Sequence, residues 1–343
     1  MITCGLLGLP NVGKSTLFNA LTQSQVPCEN YPFCTIEPHT AHVFVEDPRL
    51  AQIQALEQSQ RVVPAALSFV DIAGLVKGAS LGKGMGNKFL RHVAGCDLLI
   101  KVARCFTDDT VTHVEGVIDP LDDIHTILTE LILADLSVVE GMLKAKKPDQ
   151  HQKLYRDLKN LLEDGRLVYN YPVEAQHQLA LQHLQLLTNK PLLIVANMND
   201  TPEAYTGLSH LQAYGAAHHL QVLPLNIHTA YQDTLTGTTP ASLATLVQQA
   251  YQTLKIHTYF TTGPQETRAW TIPQNCSAPN AASVIHTDFK RYFIRCKVVH
   301  YPEFISCGGA KEAAAQGHML SEGKNYIVQD GDIITWLIQN KVA

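Results

Sequence analysis

The chain has 343 residues, of which 45% are apolar and 17% are charged, and its formal net charge is −5. This length allows two or three domains with at least one large core, and the composition is that of an ordinary globular protein. The negative net charge gives no global reason to expect nucleic-acid binding, although a local basic patch would be compatible with it.

The sequence predicts neither a secretory signal nor a membrane-spanning segment. Its first residues, Met1 to Gly5, carry no basic region ahead of an apolar one, and no apolar stretch approaches the length of about 18 residues that a membrane span requires. The eight cysteines are scattered without a C-x-x-C pair, which favours free thiols in a reducing, cytoplasmic compartment. No His/Cys spacing has the pattern of a zinc site.

Short apolar runs alternate with helical stretches in the N-terminal part and again after residue 190. Short buried runs separated by helices are typical of an α/β fold with a mostly parallel sheet and helices on both faces. A helix is predicted from Lys14 to about Leu21. The predicted strands are Ile2–Leu7, Ala41–Val45, Leu67–Val70, Leu98–Val102, Leu192–Ala196 and Val222–Leu225.

The turn after the first strand carries a phosphate-binding motif. Residues 8–15 match G-x-x-x-x-G-K-[ST], in which glycines let backbone N–H groups point at phosphate oxygens. In this pattern Lys14 reaches the β- and γ-phosphates, and the Ser15 hydroxyl binds magnesium. The predicted nucleotide-binding residues of the loop are Asn11, Val12, Gly13, Lys14, Ser15 and Thr16.

Two further positions complete the predicted magnesium and γ-phosphate site. Asp71 ends a predicted strand and is suited to hold magnesium through water, and Gly74 is suited to donate its N–H to the γ-phosphate. Thr35, in the loop between Lys14 and Asp71, is a candidate to complete the magnesium shell when a triphosphate binds. The glycine-rich stretch after Gly74 is the predicted switch segment.

Residues 122–187 predict a helical insert between two strands of the sheet. Leucine and isoleucine recur at helical spacing, with polar residues between them, which indicates two or three antiparallel amphipathic helices and a short coiled coil. The nucleotide-binding domain is then predicted to comprise residues 1–121 and 188–256.

Asn197, Met198 and Asp200 are the predicted contacts to the nucleotide base. They follow the strand Leu192–Ala196, where GTPase-type proteins carry Asn-Lys-x-Asp, and the aspartate of that motif pairs with the guanine N1 and N2 donors. Met198 replaces the lysine. An apolar side chain still packs against a purine, but the guanine signature is weakened.

The chain after about Lys255 predicts a small α+β domain, residues 257–343, with strand-like segments and a turn at residues 330–332. Basic and aromatic residues cluster in it, and two explanations remain open: a contact with RNA, or a charged strand face exposed to solvent. The cluster contains Lys290, Arg291, Tyr292, Phe293, Arg295 and Lys297.

Together these motifs resemble the YchF family, the Obg-like ATPases of the translation-factor-related P-loop class. The resemblance covers nearly the whole chain, and its most specific stretches are residues 71–79, 258–261 and 268–271. Residues 286–289 and 330–332 look like the family's TGS domain, a β-grasp fold. The insert corresponds to its coiled-coil arm.

The resemblance implies Mg²⁺-dependent hydrolysis of ATP, binding to the ribosome through its large subunit or as a whole, and a cytoplasmic location; we expect a monomer that does not associate with membranes. Two positions depart from the family pattern. Asp200 stands where the family usually carries glutamate, which leaves GTP as an alternative substrate. The helical insert is shorter than usual, which leaves partners of the arm open.

The water-orienting group of the reaction has three candidates, because Leu75 occupies the position where small GTPases carry glutamine and cannot form a hydrogen bond. His113 matches a family histidine with this proposed role, and a neutral imidazole is able to orient water. A potassium ion held by Asn11 and a group supplied by the ribosome are the other two. A nucleotide-gated interaction module with negligible turnover is the remaining alternative.

Overall fold

The computed structural model describes residues 2–23, 39–72, 85–108, 110–111, 118–144, 151–169, 171–238 and 240–339. Two compact units divide the chain. The first unit contains the described residues among 2–23, 39–43 and 67–253, and the second unit contains residues 44–66 and 254–339. Among the described helices, none combines the length and apolar character that crossing a membrane requires.

Twelve strands and thirteen α-helices are found within the described residues. Two 3₁₀ turns, at Ala175–His177 and Leu187–Asn189, lie between them. In chain order the elements are β1 Ile2–Leu7, α1 Lys14–Gln23, β2 Thr40–Phe44, α2 Pro48–Glu57, β3 Arg61–Val63, β4 Ala66–Asp71, α3 Met85–Ala94, β5 Leu98–Arg104, α4 Pro120–Lys144, α5 Gln152–Glu163, α6 Gln178–Leu184, β6 Leu192–Asn197, α7 Pro202–His218, β7 Gln221–Leu225, α8 Ile227–Leu235, α9 Ala241–Leu254, β8 Ile256–Thr261, β9 Glu266–Pro273, α10 Ala278–Ala282, α11 Thr287–Arg291, β10 Phe293–Val299, α12 Tyr301–Cys307, α13 Ala310–Ala315, β11 Leu320–Glu322 and β12 Ile333–Ile338.

The sheet of the first unit has the strand order β2-β4-β1-β5-β6-β7. The neighbours from β4 through β1, β5 and β6 to β7 pair in parallel, which confirms the predicted mostly parallel sheet. Leu6 pairs with Asp71, so the carboxyl ends of β1 and β4 lie side by side. Ligands of such sheets bind beyond the carboxyl ends of the strands, and this end of the sheet is therefore where a site is expected.

The predicted helical insert forms α4, α5 and α6, and contact clustering places it in the first unit. Helix α4 begins before the insert predicted to start at residue 122, and it packs on β5 and α7 as well as on α5. Leu154, Leu158 and Leu162 of α5 are buried in a core shared with Val139 of α4. The insert therefore shares one long helix with the nucleotide-binding fold.

Asp135 joins that long helix to the end of the insert. Its buried carboxylate accepts hydrogen bonds from Leu187 N at 2.9 Å, Thr188 N at 2.8 Å and Thr188 Oγ1 at 2.6 Å. Lys190, two residues further on, donates to the carbonyl oxygens of Ala94 and Cys96 at the end of α3. These hydrogen bonds therefore connect α4, the end of the insert and the end of α3.

The second unit contains a mixed sheet in the order β11-β10-β12-β8-β9-β3. Strands β8 and β9 form an antiparallel hairpin, and β12 pairs with β10 antiparallel and with β8 in parallel. Buried residues of α10, including Ala278 and Ala281, share a core with Tyr259, Phe293 and Val298. The β-grasp assignment that the family resemblance implies for this region stays a prediction.

Residues 44–66 differ from the predicted domain boundaries, which placed all of residues 1–121 in the nucleotide-binding domain. Strand β3 pairs in parallel with β9 instead. Ser59 Oγ bonds Gly263 O at 2.6 Å and Thr267 Oγ1 at 2.7 Å, and Arg49 pairs with Asp330 at 2.7 Å. These contacts, formed over more than 200 residues of sequence, assign the segment to the second unit.

A charged side chain lies inside the first sheet. Lys101 is at the middle of β5 and fully buried, and its Nζ forms no hydrogen bond with any group of the described chain. Burial lowers the pKa of Lys101 to about 7, although the negative charge of Asp123, buried on α4, opposes the shift. The amine therefore loses its proton in the folded state at a much lower pH than in the unfolded chain.

Replacing Lys101 by methionine should remove a pH dependence from the stability of the protein. Between pH 7 and the unfolded value of 10.5, only the unfolded state of the wild type keeps this proton, so its free energy of unfolding rises with pH by up to about 1.4 kcal/mol per pH unit. Lys101→Met has no group to titrate, and its slope should be smaller by that amount. Urea unfolding between pH 7 and 9.5 measures both slopes.

The matched control is Lys153→Met, because Lys153 is largely exposed on α5. Its slope should equal that of the wild type. Equal slopes for Lys101→Met and the wild type would contradict the assignment of a proton release to Lys101.

Candidate nucleotide-binding site

The loop between β1 and α1 has a backbone that only certain residues allow. Asn11 has φ 64° and Gly13 has φ 96°, both in the left-handed region. A Cβ atom on Gly13 would collide with the side chain of Asn197, and one on Gly8 would lie 2.7 Å from Cγ2 of Val12. Neither glycine of the motif therefore has room for a side chain, and Gly13 also adopts a backbone conformation that favours glycine.

Lys14 and Asp71, which sequence analysis placed in one site, form an ion pair. Lys14 is the first residue of α1 and is 8% exposed, and Asp71 is the last residue of β4. The parallel pairing of β1 with β4 delivers both groups to the same end of the sheet. Ser15 and Asn11 are exposed, Thr16 is half-buried and Val12 is buried.

The described residues fit a magnesium ion by the chemistry of their donors. Mg²⁺ is a hard cation that prefers oxygen ligands and retains several waters, so one or two protein groups suffice. The exposed Ser15 hydroxyl adjoins Lys14, whose ammonium touches the Asp71 carboxylate. No group of three or more His, Cys, Asp or Glu side chains in the described ranges is arranged to hold a metal.

Three predicted site residues lie outside the described residues. They are Thr35, Gly74 and His113. Their roles as magnesium ligand, γ-phosphate donor and water-orienting group stay predictions.

Asn197 supports the phosphate loop rather than presenting its amide to solvent. The side chain is buried at the end of β6, where Nδ2 donates to Val12 O at 2.9 Å and Oδ1 accepts from Ile227 N at 3.2 Å. One side chain thus joins the phosphate loop, β6 and the start of α8. Sequence analysis grouped Asn197 with the base contacts, and in the structure it acts on the loop through Val12.

The loop after Asn197 is held by its own side chains. Asn199 Nδ2 donates to Thr107 O at 2.9 Å, and its Oδ1 accepts from Thr201 Oγ1 at 2.9 Å. Thr201 also caps α7 by accepting from Ala204 N. Met198 is buried, while Asp200 is exposed next to it.

Sequence analysis missed Tyr205, whose hydroxyl donates to Asp200 Oδ1 at 3.0 Å. Tyr205 lies in the first turns of α7 and is 54% exposed. The hydrogen bond to Asp200 and the charge of that carboxylate raise the pKa of Tyr205, so its hydroxyl remains a donor at neutral pH. A threonine followed by Pro202 indicates a helix start here, which was the available clue that Tyr205 lies one turn beyond Asp200.

Arg104 is a second residue that sequence analysis missed. It ends β5, is almost fully buried, and its guanidinium lies 4.4 Å from the centre of the Phe106 ring. Nε donates to Phe106 O at 3.2 Å and Nη2 to Asp108 O at 3.3 Å. Arg104 therefore shapes the first residues of the loop that follows β5, and in sequence this loop continues to His113.

Two family models match the chain. One, described as "50S ribosome-binding GTPase", matches residues 3–134. The other, the YchF-GTPase C-terminal model, is described as a protein of unknown function and matches residues 256–339. Together they match both ends of the chain and leave the central residues between them unmatched.

Known proteins resemble the chain over almost its full length. The Bacillus subtilis protein named Ribosome-binding ATPase YchF is 40% identical over 97% of this chain and 98% of its own. The Escherichia coli O157:H7 protein of the same name is also 40% identical, with coverages of 97% and 98%. A solved structure, the Schizosaccharomyces pombe YchF GTPase, superposes with a TM-score of 0.81 at 30% identity, covering 98% of this chain and 97% of that one.

Replacing Asn197 by alanine should loosen the phosphate loop. The change leaves the buried Val12 carbonyl and Ile227 N–H without partners, which costs about 2–3 kcal/mol of unfolding free energy. Nucleotide affinity should fall at least tenfold because the loop is no longer held in the binding conformation. Urea unfolding and calorimetric titration with ATP measure the two effects.

Asn19→Ala, on the exposed face of α1, serves as the control and should change neither quantity. If Asn197→Ala bound nucleotide as tightly as the wild type, the hydrogen bonds of Asn197 would not be needed to hold the phosphate loop in its binding conformation.

Proposed function

This chain belongs to the YchF family, and we propose that it is a cytoplasmic, ribosome-associated ATPase that hydrolyses ATP to ADP and phosphate as a nucleotide-dependent switch. The observation that carries the proposal is the pairing of Lys14 with Asp71 at the carboxyl ends of adjacent parallel strands. The names of the 40%-identical relatives support the ATPase activity and the ribosome as partner.

Phosphate binding rests on the loop and on Lys14. Backbone N–H groups of residues 11–16 would face the phosphate oxygens, and the Lys14 ammonium would offset the charge of the β- and γ-phosphates. Ser15, Asp71 and Thr35 would hold Mg²⁺, which, when bound, neutralises negative charge on the phosphates. Asn11, exposed beside these groups, is the candidate for holding K⁺.

Hydrolysis requires a positioned water and in-line geometry. Leu75 has no hydrogen-bonding group, so His113, a K⁺ ion near Asn11, or a ribosomal group would supply what a glutamine supplies elsewhere. Gly74 would donate its N–H to the γ-phosphate, and loss of that contact after hydrolysis would release the switch segment. The reaction is expected to be slow in the absence of the ribosome.

A contact with ribosomal RNA is supported by the second unit. Arg295 and Lys297 on β10 are exposed, and so are Lys290 and Arg291 at the end of α11. Four cations within eight residues form a local basic patch on a chain of net charge −5. Such a patch favours phosphate contacts, which is the type of binding that requires no base-specific motif.

Two other functions remain as alternatives. A GTPase of the translation-factor type is favoured by Asp200, whose carboxylate is the group that pairs with guanine. An interaction module with negligible turnover is favoured by Leu75, which lacks any means to orient water. Nucleotide affinities and phosphate release distinguish the ATPase, the GTPase and the interaction module.

Calorimetric titration with ATP and with GTP, in the presence of magnesium, tests the nucleotide. ATP should bind at least tenfold more tightly than GTP. Lys14→Met keeps the aliphatic stem of a buried residue and removes the ammonium, so its affinity for ATP should fall by about 2–3 kcal/mol, or roughly 30–150-fold. Lys153→Met, an exposed position in the first turn of α5, should bind like the wild type. Tight binding of GTP without binding of ATP would end the ATPase proposal.

Phosphate release with ribosomes and potassium present tests turnover. The wild type should co-sediment with ribosomes and release phosphate faster with them than alone, and His113→Ala should be at least tenfold slower because the water loses its orienting partner. His183→Ala, an exposed histidine on α6, should match the wild type. Unchanged turnover in His113→Ala removes that residue from the mechanism, and background release by the wild type favours the interaction module.

A further inference from the structure

The base-contacting carboxylate of this chain is already engaged by a neighbouring side chain. Tyr205 donates its hydroxyl hydrogen to Asp200 Oδ1 at 3.0 Å, and no other group of the described chain forms a hydrogen bond with that carboxylate. One of the two acceptor positions of Oδ1 is thus occupied by the protein, and Oδ2 accepts no hydrogen bond from the described chain. The contact lies at the mouth of the base-motif loop, where both residues are exposed.

The two purines make different demands on a carboxylate. Guanine presents two parallel donors, N1–H and the 2-amino group, and binds best when both oxygens of one carboxylate accept. Adenine presents a single donor group, the 6-amino group, beside the acceptor N1. A carboxylate that already accepts from a phenol still serves the single donor group of adenine. With guanine, the second donor must share Oδ1 with the phenol, which weakens the two-point pairing.

The backbone around this contact is fixed, which keeps Tyr205 within hydrogen-bonding reach of Asp200. Thr201 caps α7 and Pro202 occupies its first turn, which sets the position of Tyr205 relative to Asp200. Asn199 ties the same loop to Thr107 and Thr201. A tyrosine phenol is protonated at neutral pH, and the hydrogen bond to Asp200 raises the pKa of Tyr205 further, so the phenol is able to donate.

We propose that Tyr205 is a specificity-determining residue, which engages one oxygen of Asp200 and thereby favours ATP over GTP although the chain carries an aspartate at the base position. This inference rests on the proposed ATPase function. Tyr205 acts through Asp200 and is in this sense a positioning residue.

The test compares ATP, GTP and ITP affinities, with magnesium, of the full-length wild type and Tyr205→Phe. The substitution removes only the hydroxyl of a side chain that is 54% exposed, so the fold should be unaffected. The preference for ATP over GTP should fall about tenfold, through a gain in GTP affinity. ITP keeps N1–H but lacks the 2-amino group, so its affinity should rise less than that of GTP. A general loosening of the loop would instead weaken all three nucleotides.

Tyr214→Phe is the matched control. Tyr214 lies on the same helix but packs against the rings of His125 and His218, not against Asp200. It should leave the three affinities unchanged.

The outcomes separate this inference from the proposed function. If the wild type prefers ATP, and Tyr205→Phe keeps the same ratio of ATP to GTP affinity, the role of Tyr205 is overturned while the ATPase proposal stands. If the wild type binds GTP and not ATP, both fall. The role of Tyr205 is supported if the ratio of ATP to GTP affinity falls in Tyr205→Phe and stays unchanged in Tyr214→Phe.

Discussion

The arrangement of the site depends on the bridge that Asn197 makes between the phosphate loop and the start of α8. Its amide joins Val12, β6 and the first residue of α8. The loop backbone passes through left-handed conformations at Asn11 and Gly13, which are unfavourable for a free chain except at glycine. The two buried hydrogen bonds of the Asn197 side chain hold that backbone in place before a ligand binds. The loop therefore loses less conformational entropy when phosphate binds.

The sequence predicted most of the first unit because its signals are local. The glycine, lysine and serine spacing of the phosphate motif specifies a strand, a bend and a helix within about 20 residues. Asp71 was recognised because it ends an apolar run, and the parallel register of β1 with β4 then brings it to Lys14. Local periodicity likewise predicted α4 and α5, with differences only at their ends.

The features that sequence analysis missed depend on contacts between distant residues. Strand β3 has only three residues, too few for an alternating pattern, and it exists because β9 pairs with it. Lys101 lies within a predicted apolar strand, and nothing in its neighbours indicated that a charged residue is fully buried there. Tyr205 is five residues beyond the base motif, and only the helix that begins at Pro202 turns its hydroxyl back to Asp200.

The placement of β3 has a consequence for synthesis of the chain. Arg61 pairs with Glu266, so this strand leaves the ribosome roughly 200 residues before its neighbour, a delay on the order of 10–40 s at ordinary elongation rates. The strands on either side of it in sequence, β2 and β4, belong to the other sheet. In the nascent chain, β3 therefore stays unpaired until β9 has been synthesised. Because both units consist of several separate chain segments, no single proteolytic cut would release either unit intact.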